Sequence, residues 1–591
     1  MLDLLIRGGT VIDGSGAAPR RGDVAIEGDR IVEIGEGLTS PARRIIDAEG
    51  AIVTPGFVDI HTHYDGQLSW DDALEPSASH GVTTIVAGNC GVGFAPVRPD
   101  GRDELIALME GVEDIPGTAL HEGIQWEWEG FPEYLDAIGR RNYSLDVSLM
   151  VPHGALRAYA MGERGIANEP ATDEDLRRMA GLVDEAMAAG ARGFSTSRVL
   201  EHQSMSGGVV PGTHASAEEL LAIARPLARR KAGMLQMVPL GLVGGIAGQG
   251  VGAAADEPRL AEAEIAIRLS RETGRPLTYS LIDDAQSPGL WRRKTNLFAR
   301  ANSAGASLHP QVSSRGVGAL TGFTGSHLFQ RRPTWLALAE RPEADRLAAL
   351  ALPEIRAAIL SETDIPTGSA LAVRNRHLMF ERLFDQLYPL DDEIGFEPEA
   401  SQTISALARA AGQDPQAYLY DYMLGDGGRR FAVMYAANYN GSNYDTVREM
   451  IADPTTLLGL SDAGAHVSVL CDASNPSFQL AFWARDRKRG PRLPIELLIR
   501  KQTAATARAA GFGDRGTLAP GKRADVNIID LDRLALQPPR MVHDLPCAGA
   551  RILQGARGYR ATLVGGIVTR WDDRDTGERP GRLVREWRDA A

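Results

Sequence analysis

FVDIHTH, residues 57–63, lies between a Pro55-Gly56 turn and Asp65 and governs how the rest of the 591-residue chain is read. Rich in Val and Ile but without strict alternation, it reads as a strand buried on both faces. In an extended chain residues i and i+2 point the same way. His61 and His63 therefore face one point at the strand's carboxyl end, while Thr62 turns away. Two imidazoles so placed suit a divalent metal ion. An isolated His-Xaa-His is as commonly a pair of polar loop residues; the turn before this one and the acid after it favour ligation.

Seven further stretches repeat the strand reading: 82–91, 144–154, 191–197, 233–240, 275–283, 306–313 and 455–466. Helical patterns separate them, which predicts parallel βα units. Residues 171–190 offer Thr172 as an N-cap, acids in the first turn and Gly190 as a stop; residues 216–233 repeat the scheme. Eight such units predict an α/β fold, a (β/α)8 TIM-type barrel over 57–511 with its chemistry at the carboxyl ends of the strands. Short strands separated by Gly and Asp turns open the chain, and matching ones close it. An N-terminal sheet alone would be marginal, so residues 1–56 and 512–591 are expected to build one small composite β-sandwich domain. The long interval 325–443, between strands seven and eight, reads as a helical insertion or lid.

Lys plus Arg number 63 against 77 Asp plus Glu, a net charge of −14. That balance disfavours nucleic acid as a partner and favours solubility. The start, MLDLLIRGG, is too short and too soon polar for a signal peptide, and no apolar run approaches the length that spans a bilayer. A cytoplasmic protein without membrane contact is expected; a homo-oligomer is compatible with everything in the sequence. Cys90, Cys471 and Cys547 are too few and too scattered for a disulfide framework.

The second strand ends in Asn89-Cys90-Gly91, and a thiolate beside two imidazoles is a good soft ligand for zinc. The eighth ends in Ser461-Asp462-Ala463-Gly464, next to the first strand if the barrel closes. A carboxylate there can ligate a metal, take a proton from an attacking water and return it to a leaving nitrogen; its bland alternative is an N-cap. His309, at the end of the seventh strand, and His202, in the loop after the fourth, are candidate substrate contacts. Arg198 and Arg315 could hold a substrate carboxylate by a bidentate contact. His80, ahead of the second strand, reads as structural.

The terminal β domain, VDIHTH, GVTTIVAGNCG, FSTS and SDAGAH together resemble the amidohydrolase superfamily, and within it the N-acyl-D-amino-acid deacylase (D-aminoacylase) branch, nearly end to end. The His-Xaa-His strand is common to the superfamily. GNCG, with a cysteine where relatives use a carboxylated lysine, is particular to the branch. The resemblance implies zinc-dependent hydrolysis of an amide bond between an acyl group and a D-amino acid, a small-molecule substrate. His61, His63, Cys90 and Asp462 stand in the matching metal positions. VPHGALR, with His153 and Arg157, matches a segment near the family's pocket. The family pattern also carries histidines at the ends of strands five and six, where this chain has Gln236 and Tyr279 or Ser280, none a usual zinc ligand. A basic clamp after strand six has no counterpart in SLIDDAQS. The residues present favour one zinc ion per chain over two and leave Gln236 and Tyr279 as candidate substrate contacts. Hydrolysis of a cyclic amide, imide or ester, and a non-catalytic ligand-binding barrel, are the alternatives.

Overall fold

The computed structural model describes residues 1–242, 253–369, 377, 380, 384–390 and 395–589. Eight parallel strands organise it: β1 Phe57–Asp59, β2 Val82–Ala87, β3 Asp146–Leu149, β4 Gly193–Ser197, β5 Met234–Val238, β6 Leu277–Ser280, β7 Leu308–Val312 and β8 Leu457–Leu458. β1 pairs with β2 and β2 with β3. One residue beyond β3, Val151–Pro152 pairs with β4, and β4 to β8 follow in chain order. Past the strand ends, Thr62 bridges Ala463 in parallel, and the His63 N–H donates to the Ala463 carbonyl at 2.8 Å. The pairing thus runs from β1 round to the extension of β8 and back to β1.

Each strand is shorter than its sequence pattern, and past β2 and β8 the chain leaves extended geometry at the carboxyl end. Cys90, Leu460 and Asp462 have φ of 55°, 57° and 44°, a region that non-glycine residues rarely adopt. Parity along the strands sorts the side chains. Gln236 pairs with Thr278 and Ser280 with Gln311, so these four share one face. Tyr279 lies on the other, its ring edge-on to Phe298 of the helix Leu290–Ser303 at 5.1 Å.

The helix Asp173–Ala189 begins at Thr172, whose hydroxyl accepts from the Asp175 N–H, and ends at Gly190 with φ 102°. The helix Ala217–Arg230 is capped by Ser216 and stops at Lys231, itself left-handed at φ 52°, two residues before Gly233. Strands from both termini share one nine-stranded sheet, in which Ile52–Pro55 pairs with Val526–Ile529, which in turn pairs with Tyr559–Val564. Between β7 and β8 the chain forms the helices Glu343–Leu350, Pro353–Ser361, Ile404–Ala411 and Pro415–Met423. The interval is not purely helical. Leu387–Pro389 and Ala432–Ala437 join Val317–Thr321 in an antiparallel sheet, and this region packs an apolar cluster of its own around Phe323, Phe329 and Trp335. Part of ERLFDQLYPL, which reads as helix, lies outside the described residues; its Leu-Tyr-Pro end is strand because alternate side chains pack into the sheet. Among the described residues no helix is long and apolar enough to cross a membrane.

Candidate metal centre

His61 and His63 continue the direction of β1 and are buried. The Gln311 side-chain oxygen lies 2.9 Å from His61 Nδ1. An amide oxygen can only accept, so Nδ1 carries the proton and Nε2 presents a lone pair. That Nε2 lies 3.3 Å from Cys90 Sγ and 3.2 Å from Asp462 Oδ1. His63 Nε2 is 3.7 Å from the same carboxylate oxygen, and neither His63 nitrogen has a hydrogen-bond partner. One ligand atom from each of His61, His63 and Cys90 can be chosen so that all lie within 4.8 Å of one another. Buried imidazole lone pairs, a sulfur and a carboxylate oxygen converging with too few protons to share fit a cation, and the nitrogen and sulfur among them fit zinc.

Electrostatics agree with that donor set. Burial pushes both imidazoles down, His63 to about 4 against the pull of Asp462, so both are neutral near pH 7. Burial opposes ionisation of Asp462, but at the acid pH where that carboxyl titrates His61 and His63 are protonated, and their attraction overcomes burial and holds the carboxyl well below the usual range. Burial, followed by the carboxylates of Glu113 and Asp462, raises the Cys90 thiol well above its ordinary value; a bound cation reverses that logic.

The loops that present these groups are closely tied. The Cys90 N–H donates to Gln236 Oε1 at 3.0 Å, and the Gly91 N–H to Ser195 Oγ at 3.1 Å. The flanking glycines serve the strands rather than a metal. A Cβ on Gly88, at φ 83°, would stand 2.3 Å from the Met150 carbonyl oxygen. Ser461 Oγ donates its one proton to Asp59 at 2.5 Å and also lies 2.9 Å from the His61 carbonyl, and the His61 N–H donates to the other Asp59 oxygen at 3.1 Å. Asp59 thus links the segment bearing the histidines to the one bearing Asp462.

A profile of the amidohydrolase family matches residues 44–570. The chain belongs to that family. The D-aminoacylase of Alcaligenes xylosoxydans xylosoxydans is 38% identical over 225 residues, which cover 38% of this amidohydrolase and only 42% of that relative. Two solved structures match it in fold. A D-aminoacylase with a binuclear metal centre has a TM-score of 0.63 at 24% identity and 99% coverage of both chains. The N-acyl-D-glutamate deacylase of Bordetella bronchiseptica, complexed with zinc and a phosphonate mimic of a tetrahedral intermediate, has a TM-score of 0.63 at 23% identity, covering 99% of this chain and all of the other. Both structures share the fold of this amidohydrolase over nearly its whole length.

Several residues expected at its mouth serve the fold instead. His153 is wholly buried with both ring nitrogens occupied, by Thr196 Oγ1 at 2.9 Å and Glu219 Oε1 at 3.1 Å. Burial alone would raise Glu219, but hydrogen bonds from His153 and Arg157 hold its carboxyl at about 2. Arg198 pairs with Glu262 at 2.7 Å and Arg315 with Asp472 at 2.6 Å, so neither guanidinium is free to clamp a substrate. His309 is the second residue of β7, at its amino end, with its Nε2 on Ser307 Oγ at 2.9 Å. Tyr279 faces the helices, as parity dictates. Gln236 lies behind Cys90, one oxygen committed to it and its amide nitrogen unpartnered.

His202 lies within electrostatic reach of the centre. Its Nδ1 lies 3.0 Å from Ser197 Oγ. Burial, then the nearby His466 and His63, push its imidazole down to about 3. Two residues at the centre carried no assigned role in the sequence reading, Gln311 and Glu113; His466, one of the histidines that could stand in for the missing strand-end pair, lies beside Glu113. Glu113 Oε1 lies 3.4 Å from His63 Nδ1, and Oε2 lies 3.5 Å from His466 Nε2. Its signal was the Glu113-Asp114 pair at the carboxyl end of a helix with an apolar face, where the macrodipole disfavours acids.

Proposed function

We propose that this amidohydrolase hydrolyses the amide bond of an N-acyl-D-amino acid or a related carboxamide, with one zinc ion held by His61, His63, Asp462 and Cys90 in a closed (β/α)8 barrel. The observation that carries the reading is the convergence of two neutral imidazoles, a buried thiol and an ionised carboxylate on one point. Zinc bound there supplies Lewis-acid polarisation of a carbonyl and a lowered pKa for water. Asp462, held ionised, accepts a proton from the attacking water and returns it to the leaving nitrogen. Gln311 orients His61 through Nδ1, and His202 is the side chain best turned to meet the substrate. Gln236, tied to the Cys90 N–H, supports one ion rather than two. The composite β-sandwich of 1–56 and 512–591 is proposed as a scaffold, and the 325–443 insertion as the segment that selects substrate.

The activities of the relatives favour an acyl group on a D-amino acid. The pairing of Arg198 with Glu262 and of Arg315 with Asp472 favours a second reading, a cyclic amide or another amide without a free carboxylate. Zinc content and turnover on N-acyl-D-amino acids, their L-enantiomers and cyclic amides test both. About one zinc per chain, with turnover of the D series lost in Asp462→Asn, is expected. Cyclic amides alone being cleaved selects the second reading, and no metal in a well-folded wild type refutes both.

A further inference from the structure

Glu113 is the last residue of the helix Arg102–Glu113, whose Leu105, Ile106, Met109 and Val112 are buried. Its side chain is 1% exposed. A carboxylate at a helix carboxyl end opposes the macrodipole, and Asp462 and Asp65 lie near enough to make it worse. Helix propensity and packing give no reason for an acid at this point.

What surrounds it gives one. Glu113 Oε1 and His63 Nδ1 are both buried and without a hydrogen bond, and they face each other at 3.4 Å. His63 Nε2 points at Asp462. A neutral imidazole carries one proton, so a His63 that ligates through Nε2 must carry it on Nδ1, directly opposite Glu113. Gln311 does the same for His61 at 2.9 Å. The remaining contacts of Glu113 reach the loop after β8: Oε2 lies 3.5 Å from His466 Nε2, and the Glu113 carbonyl accepts the His466 N–H. The Ala465 N–H in turn donates to the Asp462 carbonyl at 2.9 Å.

We infer that Glu113 is a positioning residue for the metal centre: it fixes the His63 tautomer and ties the Asp462 loop to the same point. This rests on the reading of His61, His63, Cys90 and Asp462 as a zinc site. Partners of this kind orient ligating histidines in metalloproteins generally, and removing one costs roughly 10- to 100-fold in metal affinity.

The test is zinc affinity, by chelator competition on full-length apoprotein, for wild type, Glu113→Ala, Glu113→Gln and His63→Ala. Histidine-labelled, zinc-loaded protein is examined in parallel by long-range proton–nitrogen NMR, which reports which ring nitrogen is protonated. Glu113→Ala is expected to weaken zinc roughly 10- to 100-fold, whereas Glu113→Gln, which keeps an oxygen acceptor in the same shape, recovers most of that loss. In wild type His63 is protonated at Nδ1. Unchanged affinity in Glu113→Ala while His63→Ala loses zinc overturns the role of Glu113 alone. Unchanged zinc in both variants overturns the metal reading itself. If Glu113→Ala does not fold, the tautomer in wild type and the affinity of the isosteric Glu113→Gln decide: a His63 protonated at Nε2 refutes the inference.

Discussion

Cys90, Asp462 and His466 all sit at positive φ, between 44° and 55°, and all lie at the candidate centre. Non-glycine residues held there store on the order of 1–3 kcal/mol each, tolerated where surrounding structure over-determines them. Asp462 is held by the Ser461–Asp59 bond below it and by the Thr62–Ala463 bridge beside it. Glycine adopts the same conformation without that steric cost but is more flexible when unfolded. Asp462→Gly is therefore expected to leave the apoprotein within about 1 kcal/mol of wild type, or above it, while zinc uptake falls. Thermal melts in chelator, read beside metal analysis, check both halves. A large loss of apoprotein stability would mean that the carboxylate holds the fold together rather than serving chemistry.

At the scale of the element, helix signals were the most legible. Thr172 and Gly190 bound a helix in the sequence and do so in the structure, because a hydroxyl N-cap and a left-handed stop act locally. Thr172→Ala should cost about 1 kcal/mol, measured by denaturant titration; no change would show that the Asp175 side chain caps the end unaided. All eight strand stretches contain strands, for short runs of apolar, aromatic and β-branched residues bounded by turns need no tertiary knowledge. Their ends were harder to read. Whether Tyr279 or Ser280 faces inward is a matter of one residue in a period of two, and only pairing with Gln236 and Gln311 settles it. His309 was read at the strand's end and lies at its beginning for the same reason. Asp462 and Cys90 were visible because each ends a strand in a distinctive turn. Glu113 lay on a helix, and Gln311 was an unremarked polar residue in a strand; their roles come from contacts across 50 residues and 250 residues.

For the molecule as a whole, the pairing closes through one bridge between Thr62 and Ala463, with the candidate ligands on both sides of it. A ligand that binds only the folded state stabilises it by about 2.7 kcal/mol at a hundred times its Kd. Zinc should concentrate that gain at this junction. Withdrawing it is expected to speed amide exchange first in 61–64 and 461–466, ahead of the terminal sheet, as peptide-resolved hydrogen exchange would reveal. Uniform acceleration would instead mean that the metal stabilises the molecule evenly.

That junction also orders events in time. On the ribosome, the two imidazoles and the thiol emerge early and close together, whereas their carboxylate partner is made only after most of the polypeptide. At about 5–20 residues per second, tens of seconds separate them. During that interval a nascent chain offers a soft, incomplete trap, and the competent site comes into being only when the last strand arrives. On the proposed reading, loading with the correct ion is a late step, and a product terminated before the last strand lacks the carboxylate, however well its first half folds.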